Sequence, residues 1–462
     1  MGKPVKHEAY AIAFSRVMRI PSSTIICVCA SPFTADEASN YGNAYRRKYN
    51  MKCVTWIFEL LGTDKFRACS RIRVLAGLRL PHKVHTWATS SGHIIHDDFP
   101  DTHLRANIQS HCYKLPCSWK TFILHMLGWA LSLDMDSLPY INPKNDRRVA
   151  LITAGNSGIG YFTVLHLYLH GYVVYIAGRS KTRGMKSIEN LKKEAKHTAG
   201  RYSRPERLSR FFGELHFLEM DLSSLASVLE AVAHFITCEK NLNLLINNAG
   251  NSFLPYTTTP DGFELQLQTN YVAPFLLTTK LLPLMEKTMD FYPEAGPPRI
   301  IYITSVTHRF VLRYFNLSTR FHYRPNALFT WIRYALAKTA GIHFMKMLAL
   351  RNPRLICASV QPGIVMSTNY FAYWTRLPII GILFWCLFQL FSFIFGTSIE
   401  KGAQAVFKCC VDPALTPRNN SGSHYDLFKE TLPASVASNM DYAAQSWIWT
   451  THQLEKRNIE FS

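Results

Sequence analysis

The sequence predicts an α/β fold, a doubly wound parallel sheet of about seven strands, on three observations. Short, mostly apolar runs of strand length alternate with helical patterns. A glycine-rich turn joins the first of these runs to its helix. Polar clusters recur where the runs end, which is where ligands bind in such sheets. An irregular N-terminal extension and a hydrophobic helical excursion before the last helix complete the expected architecture.

The first element is Arg147 to Thr153 (RRVALIT), an unbroken apolar run typical of a strand buried on both faces. Thr153, Ala154, Gly155, Asn156, Ser157, Gly158, Ile159 and Gly160 form the turn, and an apolar helix pattern follows from Tyr161 to His170. Glycine suits this place because backbone N–H groups and a helix N-terminus must approach a pyrophosphate with no side chain between. Tyr172 to Ala177 is the second strand, ending in Gly178, Arg179 and Ser180. A site selective for NAD puts a carboxylate there on the ribose diol. A guanidinium beside a hydroxyl instead suits a 2′-phosphate, so NADP(H) is the expected cofactor. The basic segment from Lys181 to Arg210 reads as a solvated or membrane-facing surface, since no nucleic-acid module accompanies it.

Leu215 to Met220 and Leu242 to Ile246 are strands three and four, with a helix over Leu225 to Phe235 between them, a right-handed series. Asp221 and Leu222 follow strand three, where a carboxylate can accept from an adenine amino group. Asn248, Ala249 and Gly250 follow strand four.

Three Tyr-x-x-x-Lys spacings occur. Tyr140/Lys144 encloses Pro143, a poor helix residue, and Tyr425/Lys429 is expected beyond the final helix. Tyr334/Lys338 opens an apolar helical pattern after a strand that carries Ser305. One helical turn places the pair on the same face, where an ammonium favours the phenolate of a group that otherwise ionises near pH 10. Tyr334 is therefore expected to exchange a proton with a carbonyl or alcohol oxygen, with Ser305 hydrogen-bonded to that oxygen.

Taken together, the loop at 153 to 160, Asp221, Asn-Asn-Ala-Gly at 247 to 250, Asn270, Ser305, Tyr334, Lys338 and Pro362-Gly363 resemble a short-chain dehydrogenase/reductase with a Rossmann-type sheet, over about Asn145 to Tyr425. The resemblance implies that Asn270 breaks a helix and anchors a water in a proton relay. It also implies that Lys338 binds the nicotinamide ribose and that Pro362, Gly363 and Val365 line the cofactor. One departure stands out: the first loop glycine of the family is Ala154 here. Its Cβ sits where the turn favours a positive φ.

Composition bounds the rest. With 462 residues, 48% hydrophobic and 18% charged, the chain is neither a disordered polymer nor a polytopic membrane protein. Lys+Arg 51 against Asp+Glu 31 gives +20, favouring anionic partners. An odd total of 11 cysteines argues for reduced thiols. Residues 1–134 form an extension of unknown function with patchy periodicity, and 135–462 form the catalytic domain. The run Ile25 to Ala30 is short for a secretory signal, and Thr121 to Leu133 suits an interfacial or docking helix. His82/His85, His93/His96 and Cys112/Cys117 lack zinc spacing, so no metal site is expected.

The connection between Ser305 and Tyr334 is long and rich in arginine and aromatics, such as Arg309, Phe310, Arg313, Phe315, Phe321 and Trp331. It reads as a pocket wall or lipid-facing flap. Leu377 to Ile399 is 23 residues without a charge, long enough to span a bilayer. A single crossing would separate the helix at Gly402 to Cys410 and the strand at Ser423 to Tyr425 from their sheet. A monotopic helix or shallow hairpin is expected instead, with a true span and an intraprotein pocket helix as alternatives. These features resemble the retinol-dehydrogenase-like branch, particularly its fungal lipid-droplet oxidoreductases. That implies a lipophilic ketone, aldehyde or alcohol as substrate at a lipid droplet or endoplasmic reticulum membrane, on the cytosolic face. A catalytically weak member that senses nucleotide or scaffolds partners on lipid is the competing expectation. No nucleic-acid partner is expected, and the oligomeric state is open, a homodimer among the options.

Overall fold

The computed structural model describes residues 134–460 except 312, 319–320, 322–325, 327–328, 366–374 and 376–379, together with three short strands near the N-terminus. The chain divides into two units, Met1–His125 and Met126–Ser462. In the first, β1 (Leu78–Arg79), β2 (His85–Ala88) and β3 (Ile94–Ile95) form an antiparallel meander. The run at Ile25, the Cys112/Cys117 pair and the helix expected at Thr121 to Leu133 lie outside the described residues.

The second unit alternates strand and helix as the apolar runs require. β4 (Val149–Thr153), α1 (Gly158–Leu169), β5 (Val173–Gly178), α2 (Lys181–Ala199), α3 (Arg204–Ser209) and β6 (Glu214–Glu219) make the first half. α4 (Leu225–Cys238), β7 (Leu244–Asn247), α5 (Ala273–Phe291), β8 (Arg299–Ile303), α6 (Thr330–Arg351) and β9 (Ile356–Gln361) follow. The chain closes with α7 (Ile380–Phe395), α8 (Ile399–Val411), β10 (His424–Asp426), β11 (Lys429–Thr431) and α9 (Met440–Glu455). The strand order is β11-β10-β9-β8-β7-β4-β5-β6, parallel throughout except for the terminal β10/β11 hairpin. Order reverses between β4 and β7, so the ligand crevice of this Rossmann-type sheet opens there.

Each face of the sheet is sealed by its own core. α1 and α8 cover one face through Val164, Leu167 and Phe407. α4, α5, α6 and α9 cover the other through Phe235, Phe275, Phe344 and Leu454. α2 turns Ile188, Leu191 and Ala195 inward and leaves Lys181, Arg183, Lys186, Lys192, Lys193 and Lys196 exposed, as a solvated or a membrane-facing surface would be.

The sheet has eight strands, one more than the sequence suggested. The extra strand is the return of a tight hairpin in which Asp426 faces Lys429, so the Tyr425/Lys429 spacing spans a β-turn and no helix. That pair does not follow the final helix either, because α9 comes after it. α9 escaped notice because its buried stripe mixes Ala443 and Leu454 with Ser446 and Thr450, two polar residues satisfied internally. The Tyr271 hydroxyl lies 2.7 Å from Thr450 Oγ1, and Ser446 Oγ is 3.1 Å from His343 Nδ1.

The long apolar run also resolves differently. Ser398 caps α8 by accepting from Lys401 N–H, so Ile399 belongs to the next helix and α7 keeps 16 residues. At 1.5 Å per residue that is about 24 Å, short of a roughly 30 Å hydrocarbon core. Among the described residues no helix is long and apolar enough to cross a membrane. Nor is α7 an internal pocket helix, because Ile382 is 75% exposed and Leu390 59%. The excursion is pinched at its base: Thr397 N–H donates to Ile364 O at 2.8 Å, returning the chain to the residue beside Gly363.

Candidate active site

The crevice is laced shut at its floor by the carboxyl ends of β4 and β7. Thr153 Oγ1 accepts from the N–H groups of Asn248 (3.0 Å) and Ala249 (2.8 Å), and Asn248 Nδ2 donates to Thr153 O (2.9 Å) and Ala154 O (3.3 Å). The turn above is shaped by steric demands at each small residue. Ala154 adopts φ +53°, the left-handed conformation that costs an L-residue about 1–2 kcal/mol. Gly155 is not a displaced copy of the missing glycine. It packs against the core, where a Cβ would lie 2.9 Å from both Ile152 and Val164. Gly158 takes φ +58°, and a Cβ on Gly160 would stand 2.5 Å from Ala154 O and 2.6 Å from Asn248 Nδ2. Small residues thus let main chain pack closely at the start of α1, where a pyrophosphate would approach backbone N–H groups.

Other members of the expected cofactor set differ in what they can offer. Asn156 is half-buried and Ser157 exposed at the N-terminus of α1, and the Ser157 side chain makes no capping bond. Ile159 and Leu222 bury their side chains in the two cores, leaving only main-chain groups for a ligand. Arg179 is exposed after β5, and Ser180 caps α2 by accepting from Arg183 N–H at 3.4 Å. Asp221 Oδ1 accepts from the Ser223 N–H (2.9 Å) and hydroxyl (2.7 Å), so one carboxylate oxygen is committed to its own turn. Gly250 is exposed beside half-buried Ala249. On the opposite rim Pro362 is buried, and Val365 packs against the α8 core. Gly363 has φ +82° against Thr397.

The four residues expected to react gather around the end of β8. Ser305 caps a short 3-10 turn (Val306–Phe310), its Oγ accepting from Thr307 N–H at 3.4 Å. Tyr334 and Lys338 lie on one face of α6, 4% and 1% exposed. Lys338 Nζ donates to Ile303 O at 2.8 Å and sits 5.2 Å from the Tyr302 ring and 5.7 Å from the Tyr334 ring. Burial lowers the Lys338 pKa to about 7. Asn270 occupies a five-residue π-helical turn, Gln268–Val272, immediately before α5. Such widened turns cluster at functional sites. Asn270 O accepts from the Tyr302 hydroxyl at 2.5 Å, and its Nδ2 donates to Asn251 O (2.9 Å) and Gln266 O (2.7 Å). Asn270 Oδ1 is buried without a hydrogen-bond partner among the described residues.

Three contributors were not foreseen. Tyr302 ties Asn270 to Lys338 through its hydroxyl and ring, contacts that local spacing did not mark. Phe253, at φ +57°, sets its ring 5.4 Å from that of Tyr334. Arg333, fully buried beside Tyr334, donates to Asn326 O (2.9 Å), Asn326 Oδ1 (2.8 Å) and Leu254 O (3.4 Å) and faces Glu264 at 3.8 Å. The long connection divides its aromatics: Phe315 and Phe321 enter the core, whereas Phe310 and Trp331 stay exposed with rings 5.7 Å apart.

The family profile described as short chain dehydrogenase matches residues 148–312. The chain is 30% identical to polyprenol dehydrogenase of Homo sapiens over 317 residues, covering 67% of this chain and 85% of that protein. It is 30% identical to retinol dehydrogenase 12 of Bos taurus over 303 residues, covering 65% and 84%. A solved structure of an uncharacterized protein from Mycobacterium paratuberculosis superposes with a TM-score of 0.50 at 21% identity, over 72% of this chain and all of that one, a likeness of fold.

The turn geometry yields a direct expectation. Ala154→Gly removes the left-handed cost and adds back some unfolded-state entropy, for a net gain of about 0.5–1 kcal/mol in urea denaturation. A loss of stability would show that the Ala154 methyl contributes packing that outweighs its backbone conformation.

Proposed function

The chain belongs to the short-chain dehydrogenase/reductase family, in its retinol-dehydrogenase-like branch, and we propose that it interconverts a carbonyl and an alcohol on a lipophilic substrate using NADP(H). The observation that carries this reading is the buried Lys338 ammonium, placed between the Ile303 carbonyl and the ring of Tyr334. NADPH, when bound, supplies the hydride. Tyr334 gives its phenolic proton to the substrate oxygen, and charged Lys338 lowers the cost of the phenolate left behind. Ser305 Oγ already accepts a backbone N–H, so its own proton is available to the same oxygen. Asn270, with its orphaned Oδ1, anchors the water that returns a proton.

Cofactor choice rests on Arg179 and Ser180, which present a cation and a hydroxyl in place of a ribose-binding acid. Gly160 lets the start of α1 close against Ala154 O and Asn248 Nδ2, the compact turn a dinucleotide site uses. Thr153, Asn248 and the N-terminal turn of α1 would hold the pyrophosphate side, and Val365 and Gly363 the nicotinamide side.

Substrate delivery is proposed from lipid, at a lipid droplet or the cytosolic face of the endoplasmic reticulum. α7 exposes Ile382, Leu383, Trp385, Leu387 and Leu390 at the end of an excursion that leaves and rejoins the site rim. A patch of that kind marks a membrane or partner surface, and α8 and β10 beside the sheet leave room only for shallow insertion. Ala154 alone favours the second reading, a catalytically weak nucleotide sensor or scaffold on lipid, and turnover separates the two.

Membrane-bound protein is expected to reduce decanal with NADPH, at a rate at least tenfold above that with NADH. Tyr334→Phe should lower kcat about 10²–10⁴-fold with NADPH binding retained. Undiminished reduction by that variant rejects the assignment, and NADPH binding without turnover by the wild type selects the scaffold. Because Lys338 must be charged to assist the phenol, kcat/KM for NADPH, which reports the free enzyme, should fall as pH rises through about 7. A profile flat from pH 6 to 9 contradicts the role given to Lys338. Finally, Leu383→Asp/Trp385→Glu should abolish flotation with phosphatidylcholine vesicles and leave decanal reduction in detergent intact. Retained flotation assigns the lipid contact elsewhere.

A further inference from the structure

Beneath Ser305 lies a polar cluster that the reaction above does not use. Parallel register sets Tyr302, Ser359 and His424 in one row across β8, β9 and β10, with Gln361 two residues further along the same face. His308, in the turn after Ser305, meets His424 edge to face at 5.1 Å. Both imidazoles are buried, at 0% and 2% exposure.

The hydrogen bonds define where the His308 proton is. His308 Nδ1 lies 2.6 Å from Ser305 O, an acceptor only, so Nδ1 carries the proton. His424 Nδ1 lies 3.0 Å from Ser359 Oγ, which is also 3.4 Å from Ser423 O. Burial lowers the two pKa values to about 4 and about 3, with the nearby cations Arg309 and Lys346 adding to the effect. Both rings are therefore neutral; Nε2 of His308 is a bare acceptor, and Nε2 of His424 is the second polar atom left over. Gln361 Oε1 is a third. None of the three has a hydrogen-bond partner among the described residues. Buried polar atoms left without partners, these three together with the Thr304 and Thr307 hydroxyls of the same segment, call for an internal water, which can both donate and accept. Arg309, from the same turn as His308, and Lys346, from α6, disfavour a metal ion there.

We infer that an ordered internal water bonded to His308 Nε2, His424 Nε2 and Gln361 Oε1 braces His308 from behind, and that His308 is a positioning residue for the Ser305 hydroxyl. The inference rests on the role proposed for Ser305. The Ser305 hydroxyl is held by one long bond from Thr307 N–H, so its aim depends on the backbone that His308 grips through the Ser305 carbonyl. A displacement of about 1 Å at such a donor costs up to about 10²-fold in rate.

A double-mutant cycle on the full chain in detergent, with decanal and NADPH, tests this. His308→Ala is expected to lower kcat about tenfold or more, with KM for decanal and Kd for NADPH within about threefold. His308→Asn, whose amide can replace the Nδ1 donor, should recover most of the loss. In a Ser305→Ala background His308→Ala should cost less than about twofold, because there is no hydroxyl left to aim. Equal losses in both backgrounds, or no recovery by Asn, overturn the positioning role. A crystal structure of the wild type with water density bonded to both Nε2 atoms supports the brace, and a dry cluster overturns it. If the wild type does not reduce decanal at all, the proposed reaction fails by itself, while the crystallographic arm still decides the water.

Discussion

A lysine ammonium sealed from solvent is the constraint on which the rest of this site depends. An uncompensated charge in a protein interior is so unfavourable that the surrounding chain must be built to receive it. Here the receiving groups are the Ile303 carbonyl at the last turn of β8 and the face of Tyr302. That fixes the rotation of α6 against the sheet, and with it the position of Tyr334 one turn earlier. Tyr302 then extends the same constraint outward, because its hydroxyl takes the carbonyl of Asn270. A single buried cation thus ties strand, catalytic helix and π-helical turn into one unit. A second buried cation, Arg333, holds Leu254 and Asn326 against the other flank of Tyr334.

How much of this was legible in the chain follows from what each element is made of. β4, β5 and β7 are largely apolar runs and β6 a mixed one, and their reading falls within a residue or two of the structure. β11 and α9 were invisible because neither is apolar. β11 is a three-residue edge closed by a hairpin, and α9 buries hydroxyls that find partners only in the folded state. The 23-residue apolar run hid a helix boundary, since a Ser N-cap inside a hydrophobic sequence outweighs the hydrophobicity around it. Among site residues, those defined by backbone shape were the readable ones. Leu222 and Ile159 were placed correctly along the chain, but their side chains serve the core. Arg333 reaches the Leu254 carbonyl through a tertiary contact that no local spacing encodes, and the His308 bond to Ser305 O, though only three residues apart, belongs to a turn with no apolar pattern to mark it.

The excursion after Gly363 illustrates how connectivity restrains a membrane reading. Its hydrophobicity alone is compatible with spanning, packing internally or lying on a surface. What distinguishes these is that both ends return to one point, Ile364 against Thr397, before α8 and β10 join the sheet. A segment whose two ends meet in this way leaves and rejoins the fold at one place. The exposed side of α7 is therefore a consequence of topology as much as of composition, and the same pinch keeps it at the rim where a lipophilic substrate would enter.

The same kind of weighing applies to Ala154. Its left-handed backbone costs about 1–2 kcal/mol, which even if drawn wholly from nucleotide binding would weaken affinity by about 5–30-fold. A nicotinamide cofactor held by a whole turn of main-chain donors and a helix N-terminus tolerates a loss of that size. Removing Tyr334 would instead take away the acid of the proposed reaction, and removing Lys338 the cation that assists it. A chain relieved of selection for catalysis has no reason to retain a desolvated lysine, which is expensive to fold and useful only when something nearby must ionise. The strain in the turn and the buried ammonium thus point in opposite directions with unequal force, and the larger of the two favours a working oxidoreductase.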